Sequence, residues 1–131
     1  MDIINKYHTS YLNINSLSGY KADNKYYIIV ENDGIVESLA VFSHERKCCQ
    51  TQGITLVKDD DIQQYLNKPF GEIEEEIGIP HLDLGSGFYI PSYITENAYL
   101  ISLELVDGFV SEVIKRDLIE NNITEQINIR G

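Results

Sequence analysis

Asn24-Lys25-Tyr26-Tyr27-Ile28-Ile29-Val30-Glu31 leads into Asp33-Gly34-Ile35-Val36, and further along Asn97-Ala98-Tyr99-Leu100-Ile101-Ser102-Leu103-Glu104 leads into Asp107-Gly108-Phe109-Val110. Both stretches are β-branched and aromatic, and both break at an Asp-Gly pair, which tolerates the positive φ of a tight turn. Residues 25–42 and 97–116 are therefore predicted as two antiparallel hairpins. Their likeness goes beyond hairpin chemistry. Asn, Tyr, Ile, Glu, Asp-Gly and Val coincide once one residue is inserted before the second Asp-Gly, and Ser18-Gly19-Tyr20 echoes Ser86-Gly87-Phe88. The pattern points to an internal duplication, each unit a helix followed by a hairpin.

Working outward, Ile3, Tyr7 and Tyr11, with Ile4, His8 and Leu12 beside them, are four apart and predict a helix from Asp2 to about Leu17, closed by Gly19. Ser43 to Gly53 is polar and reads as irregular. Asp59-Asp60-Asp61 opens a short helix carrying Ile62, Tyr65 and Leu66, broken at Pro69. A second helix runs through Glu72–Ile77, with Phe70, Ile73 and Ile77 on one face, Gly78 at its end and Pro80 beyond. Leu82 to Thr95 alternates, with Phe88, Ile90 and Ile94 on one side and Tyr89 and Tyr93 on the other; Pro91 places it at an edge or a bulge. Ile119, Ile123 and Ile127 allow a short helix in the tail. The expected fold is α+β: two layers, with helices packed on one face of an antiparallel sheet built from two helix-plus-hairpin repeats. One domain spans 1–131, with a shortened first repeat at 1–47, a second at 54–116 and a tail at 117–131.

Composition narrows the function. Of 131 residues, 21 are acidic and 10 basic, a net charge of −11. That argues against nucleic acid and against anionic membranes, since both are gripped by Lys and Arg. No apolar run approaches the roughly 18 residues of a span. The start, MDIINKYHTS, lacks the plan of a signal peptide, so a cytoplasmic location is expected. Cys48 and Cys49 are adjacent and read as reduced thiols; with His44 they fall short of a zinc set. The abundance of Ile and Asn looks like an AT-rich bacterial genome.

Residues 54–116 resemble a known unit. Acidic Asp59-Asp60-Asp61 is followed by Leu66, Pro69-Phe70-Gly71, Glu72-Ile73 and Ile77-Gly78-Ile79-Pro80, before paired strands. This resembles the helix-turn-helix plus antiparallel sheet of the beta-lactamase-inhibitor-protein-like fold, and is similar to the same unit in the small outer-membrane assembly lipoprotein. The resemblance implies tandem repeats and the habit of gripping another protein with a sheet face. It does not imply a beta-lactamase target, and the export signal and lipobox Cys of those families have no counterpart here.

Candidate chemistry is sparse. His81 and Asp83 lie two apart and would share a strand face, as an acid–base pair requires, but no nucleophile accompanies them. Gly85-Ser86-Gly87 has neither the Lys-Ser/Thr of a phosphate loop nor the elbow that a serine nucleophile needs. Asn122-Ile123-Thr124 matches a glycan sequon, and Glu72, Glu74, Glu75 and Glu76 read as a solvated helix face. No catalytic residue, metal ligand or cofactor is expected. What stands out is a surface: if Tyr26, Ile28, Val30, Tyr99, Ile101 and Leu103 face the helices, the alternate residues face outward. The expected partner-binding set is Tyr27, Glu31, Tyr89, Tyr93, Ser102 and Glu104. The function this implies is a non-catalytic module that binds a protein partner, a basic one given the charge, in the manner of an immunity or inhibitor protein. One alternative is a small-ligand-binding protein or hydrolase with its site near His81 and Asp83. Another is a homodimer with paired sheet faces.

Overall fold

The computed structural model describes residues 2–8, 15–85 and 88–119. Nine strands, a 3-10 turn and a single α-helix make up these residues. In chain order they are β1 (Asp2–His8), β2 (Asn15–Ala22), β3 (Lys25–Asn32), β4 (Ile35–Ser43) and β5 (Cys48–Gln52), the 3-10 turn Ile62–Tyr65, α1 (Phe70–Ile77), then β6 (Leu82–Asp83), β7 (Pro91–Ile94), β8 (Tyr99–Val106) and β9 (Phe109–Asp117). Strands β1 to β5 form one antiparallel meander, and β6 to β9 form a second.

Both predicted hairpins are present with matching geometry. Asp33 and Gly34 have φ of 52° and 82°, and Asp107 and Gly108 have 53° and 82°. A bulge follows each turn at the same place, at Glu37 opposite the step from Val30 to Glu31 and at Ser111 opposite the step from Glu104 to Leu105.

The α+β arrangement expected from the sequence is overturned. The hairpins do not join one sheet: β3–β4 belongs to the first and β8–β9 to the second. Leu17, Ile28, Val30, Ala40 and Phe42 of the first sheet pack on Leu82, Ile94 and Leu100 of the second. On the far side of the second sheet, Tyr93, Ile101, Leu103 and Val110 pack under Ile62, Tyr65, Phe70 and Ile73. The order of layers is sheet, sheet, helix. Because β8 is buried on both faces, it reads as the near-continuous apolar run Leu100-Ile101-Ser102-Leu103.

Three local expectations change with it. Residues 2–8 and 15–22 are strands, where the sequence predicts a helix over most of that stretch. Cys48–Gln52 is an edge strand instead of an irregular stretch. Ile62–Tyr65 is a single 3-10 turn. Pro91 begins β7, where its missing N–H costs least, although that strand lies inside the sheet. The tail helix around Ile123 and Ile127 and the Asn122 sequon lie outside the described residues.

Two clamps tie the layers together. Arg46, in the β4–β5 turn, pairs with Asp117, donates to the Asn97 carbonyl at 3.2 Å and lies over the Tyr99 ring at 4.8 Å. Val57 bridges Thr95, and Asp59 accepts from the Thr95 hydroxyl at 2.6 Å, pinning the crossing segment to the end of β7. Among the described residues no helix is long and apolar enough to cross a membrane.

Candidate functional site

The six residues expected to share one open face are dispersed. Tyr27 and Glu31 lie on the outer side of the first sheet and are half-buried; on that side Ser18, opposite Ile29, is fully buried, with its hydroxyl 3.4 Å from the Glu31 carboxylate. Tyr93 is 1% exposed under α1, and its hydroxyl donates to the Gly78 carbonyl at 2.8 Å, capping the helix end. Burial pushes that hydroxyl's pKa up. Ser102 is 1% exposed between the sheets, in a 2.9 Å hydroxyl pair with Ser92. Glu104 is half-buried, directly across from Glu112. Only Tyr89 is well exposed. A sheet covered on both sides has no outward set.

The His81 and Asp83 side chains are committed to backbone. Nδ1 of His81 accepts from the Ile94 N–H at 2.7 Å, which leaves the proton on Nε2, donated to the Thr55 carbonyl at 2.9 Å. Burial holds its pKa down to about 4, against a smaller upward pull from the Thr55 carbonyl. Oδ1 of Asp83 accepts from the Gly85 and Ile90 N–H groups at 2.8 and 2.9 Å, stapling the β6–β7 connection. A cleft of about 360 Å3 opens beside His81, but neither imidazole nitrogen is left over for it. The arrangement suits a brace between the crossing segment and β7 better than proton transfer.

Other exposed apolar side chains lie at one end of the second sheet. In an antiparallel meander the β6–β7 connection and the β8–β9 turn emerge at the same end of the sheet. There Phe88 is 53% exposed, Tyr89 46%, Val106 59% and Phe109 51%. These are four of the seven large hydrophobic side chains that stand exposed among the described residues. Local structure holds them in place. Val106 and Phe109 face each other across the Asp107-Gly108 turn. The Phe70 N–H donates to the Gly108 carbonyl at 2.9 Å, Pro69 bridges Phe109, and the Phe70 ring meets Tyr89. Carboxylates lie on the same elements: Asp107 in the turn, Glu72 in the first turn of α1, and Glu74 and Asp83, whose charges add to burial in pushing the Tyr89 hydroxyl pKa up.

Sequence reasoning missed Phe88, Val106 and Phe109. The signal was present in Val106-Asp107-Gly108-Phe109, where large apolar residues flank a tight turn that would ordinarily be polar. Among the described residues no group of three or more His, Cys, Asp or Glu side chains is placed to hold a metal ion, and Cys48 and Cys49 are free and exposed. No protein-family model, curated protein or solved structure matches the chain.

Proposed function

We propose that the protein is a non-catalytic binding module that grips a basic protein partner with the aromatic end of its second sheet. The observation that carries this reading is the exposure of Phe88, Tyr89, Val106 and Phe109 at one end of that sheet, on its two faces. Single exposed hydrophobics need no explanation, but several at one end of a sheet, with acidic residues nearby, support a contact surface there. Tyr and Phe on short, pinned connections lose little side-chain freedom on binding. The nearby carboxylates and the net charge of −11 favour a partner with Lys or Arg around an apolar centre, and would speed its approach. An immunity- or inhibitor-type role fits such a surface.

Two further features support the reading. The sequence resemblance of residues 54–116 to the beta-lactamase-inhibitor-protein-like unit implies a habit of gripping another protein. The contact surface would differ from that family's sheet face, since both faces of this sheet are packed. Two exposed free thiols suit a reducing, cytoplasmic setting.

Site-specific photo-cross-linking in the producing cell tests the proposal. A cross-linker at position 109 should trap a discrete basic protein, and one at position 27, on the other sheet, should not. Equal capture at both positions, or none at 109, would refute it.

A further inference from the structure

We infer that β5 is a self-association edge, at which two copies of this chain pair their Cys48–Gln52 strands antiparallel and join their first sheets into one continuous sheet. The inference is independent of the aromatic end. An unpaired sheet edge offers a row of N–H and C=O groups to any strand that can approach, and proteins ordinarily guard it with charge, proline or cover. Among the described residues β5 ends its sheet and pairs only with β4, and its one irregularity is a bulge at Cys49, near its start. All five of its side chains are exposed, and Cys48-Cys49-Gln50-Thr51-Gln52-Gly53 carries no charge and no proline.

The two edges of the second sheet are guarded. The start of β9 is covered by the Asn67–Phe70 segment, where the Asn67 N–H donates to Val110 and the Val110 N–H donates to Lys68. The rest of β9 carries Glu112, Lys115, Arg116 and Asp117. β6 is two residues long.

Charge selects the occupant. In a chain at −11, few surfaces allow two copies to meet without repulsion, and an uncharged strand is one of them. Antiparallel pairing of a strand with itself is isologous and closes at two subunits. Centred on Gln50, it opposes Thr51 and Gln52 of one copy to the Cys48–Cys49 stretch of the other, where the bulge sits, with no like charges opposed.

Sedimentation equilibrium under reductant, which keeps both cysteines as thiols, tests this. The wild-type chain should form a concentration-dependent dimer. Gln50→Lys and Gln50→Glu each place like charges opposite one another near the two-fold axis and should each shift the protein to monomer. Mixing the two variants should restore the dimer, which also shows that both remain folded. A wild-type monomer at every concentration, a dimer indifferent to either substitution, or a mixture that stays monomeric would each overturn the proposal.

Discussion

The Tyr89 ring meets the Phe70 ring edge-on, with centroids 5.8 Å apart and planes at 76°. Phe70 is the first residue of α1, and its N–H is held by the Gly108 carbonyl at the tip of the second hairpin. One aromatic pair therefore joins the β6–β7 connection, the helix start and the hairpin tip, the three pieces that present the exposed cluster. An edge-to-face pair contributes about 1 kcal/mol beyond its buried area. The surface is built on fixed elements, and small disturbances beneath it should be felt there.

Gly85 is the most sensitive such point. A Cβ at this position would fall 1.6 Å from the Phe88 carbonyl oxygen, a backbone atom that cannot swing away. Gly85→Ala is expected to displace the connection bearing Phe88 and Tyr89 and to destabilise the fold by about 3 kcal/mol. Thermal unfolding would show the loss, and near-ultraviolet circular dichroism, dominated by tyrosine in a chain without tryptophan, would show the disturbed Tyr89 environment.

His81 makes stability depend on pH. Its pKa of about 4 in the folded chain lies below the ordinary value of 6.5, so the unfolded chain binds more protons between those limits. Its contribution is therefore complete above pH 6.5 and is lost as pH falls towards 4, amounting to about 3 kcal/mol across that window. Denaturant titrations at pH 7 and pH 4.5 should show the loss. His81→Asn, which keeps an acceptor for the Ile94 N–H but cannot titrate, should flatten the slope while lowering stability at pH 7.

Arg46 clamps the β4–β5 turn onto Asp117, the Asn97 carbonyl and the Tyr99 ring. These contacts are only partly exposed, so Arg46→Ala should cost more than a surface ion pair, about 2 kcal/mol. The denaturation midpoint should fall with the slope unchanged, since both sheets still unfold together.

Glu104 and Glu112 stand directly opposite on β8 and β9. Like charges so placed are unfavourable, and Glu112→Lys should raise stability by roughly 0.5 kcal/mol, seen as a higher melting temperature that declines with added salt.

These sites show what was legible in the chain. The hairpins were, because Asp-Gly between β-branched runs has few other uses. So was α1, through Phe70, Ile73 and Ile77 and the Gly78 stop. The first strands were not. Ile3, Tyr7 and Tyr11 lie four apart, and that spacing satisfies a strand period of two as well as a helical 3.6, so it could not separate them. β5 was invisible because an exposed edge strand has no apolar alternation to find. The expected sheet face misleads for a related reason. Leu100 to Leu103 is apolar on both faces because sheet lies on one side and helix on the other, and a single strand does not reveal its second cover.

The central claim rests on Tyr89 and Phe109, both exposed enough to be removed without opening the core. The most direct measurement is calorimetric titration of the partner trapped at position 109 with wild-type protein, with the Tyr89→Ala/Phe109→Ala variant and with Tyr27→Ala. The account predicts at least about a hundredfold weaker binding for the double variant, as for two aromatic hot spots, and wild-type affinity for Tyr27→Ala. A folded double variant that binds as tightly as the wild type would contradict it.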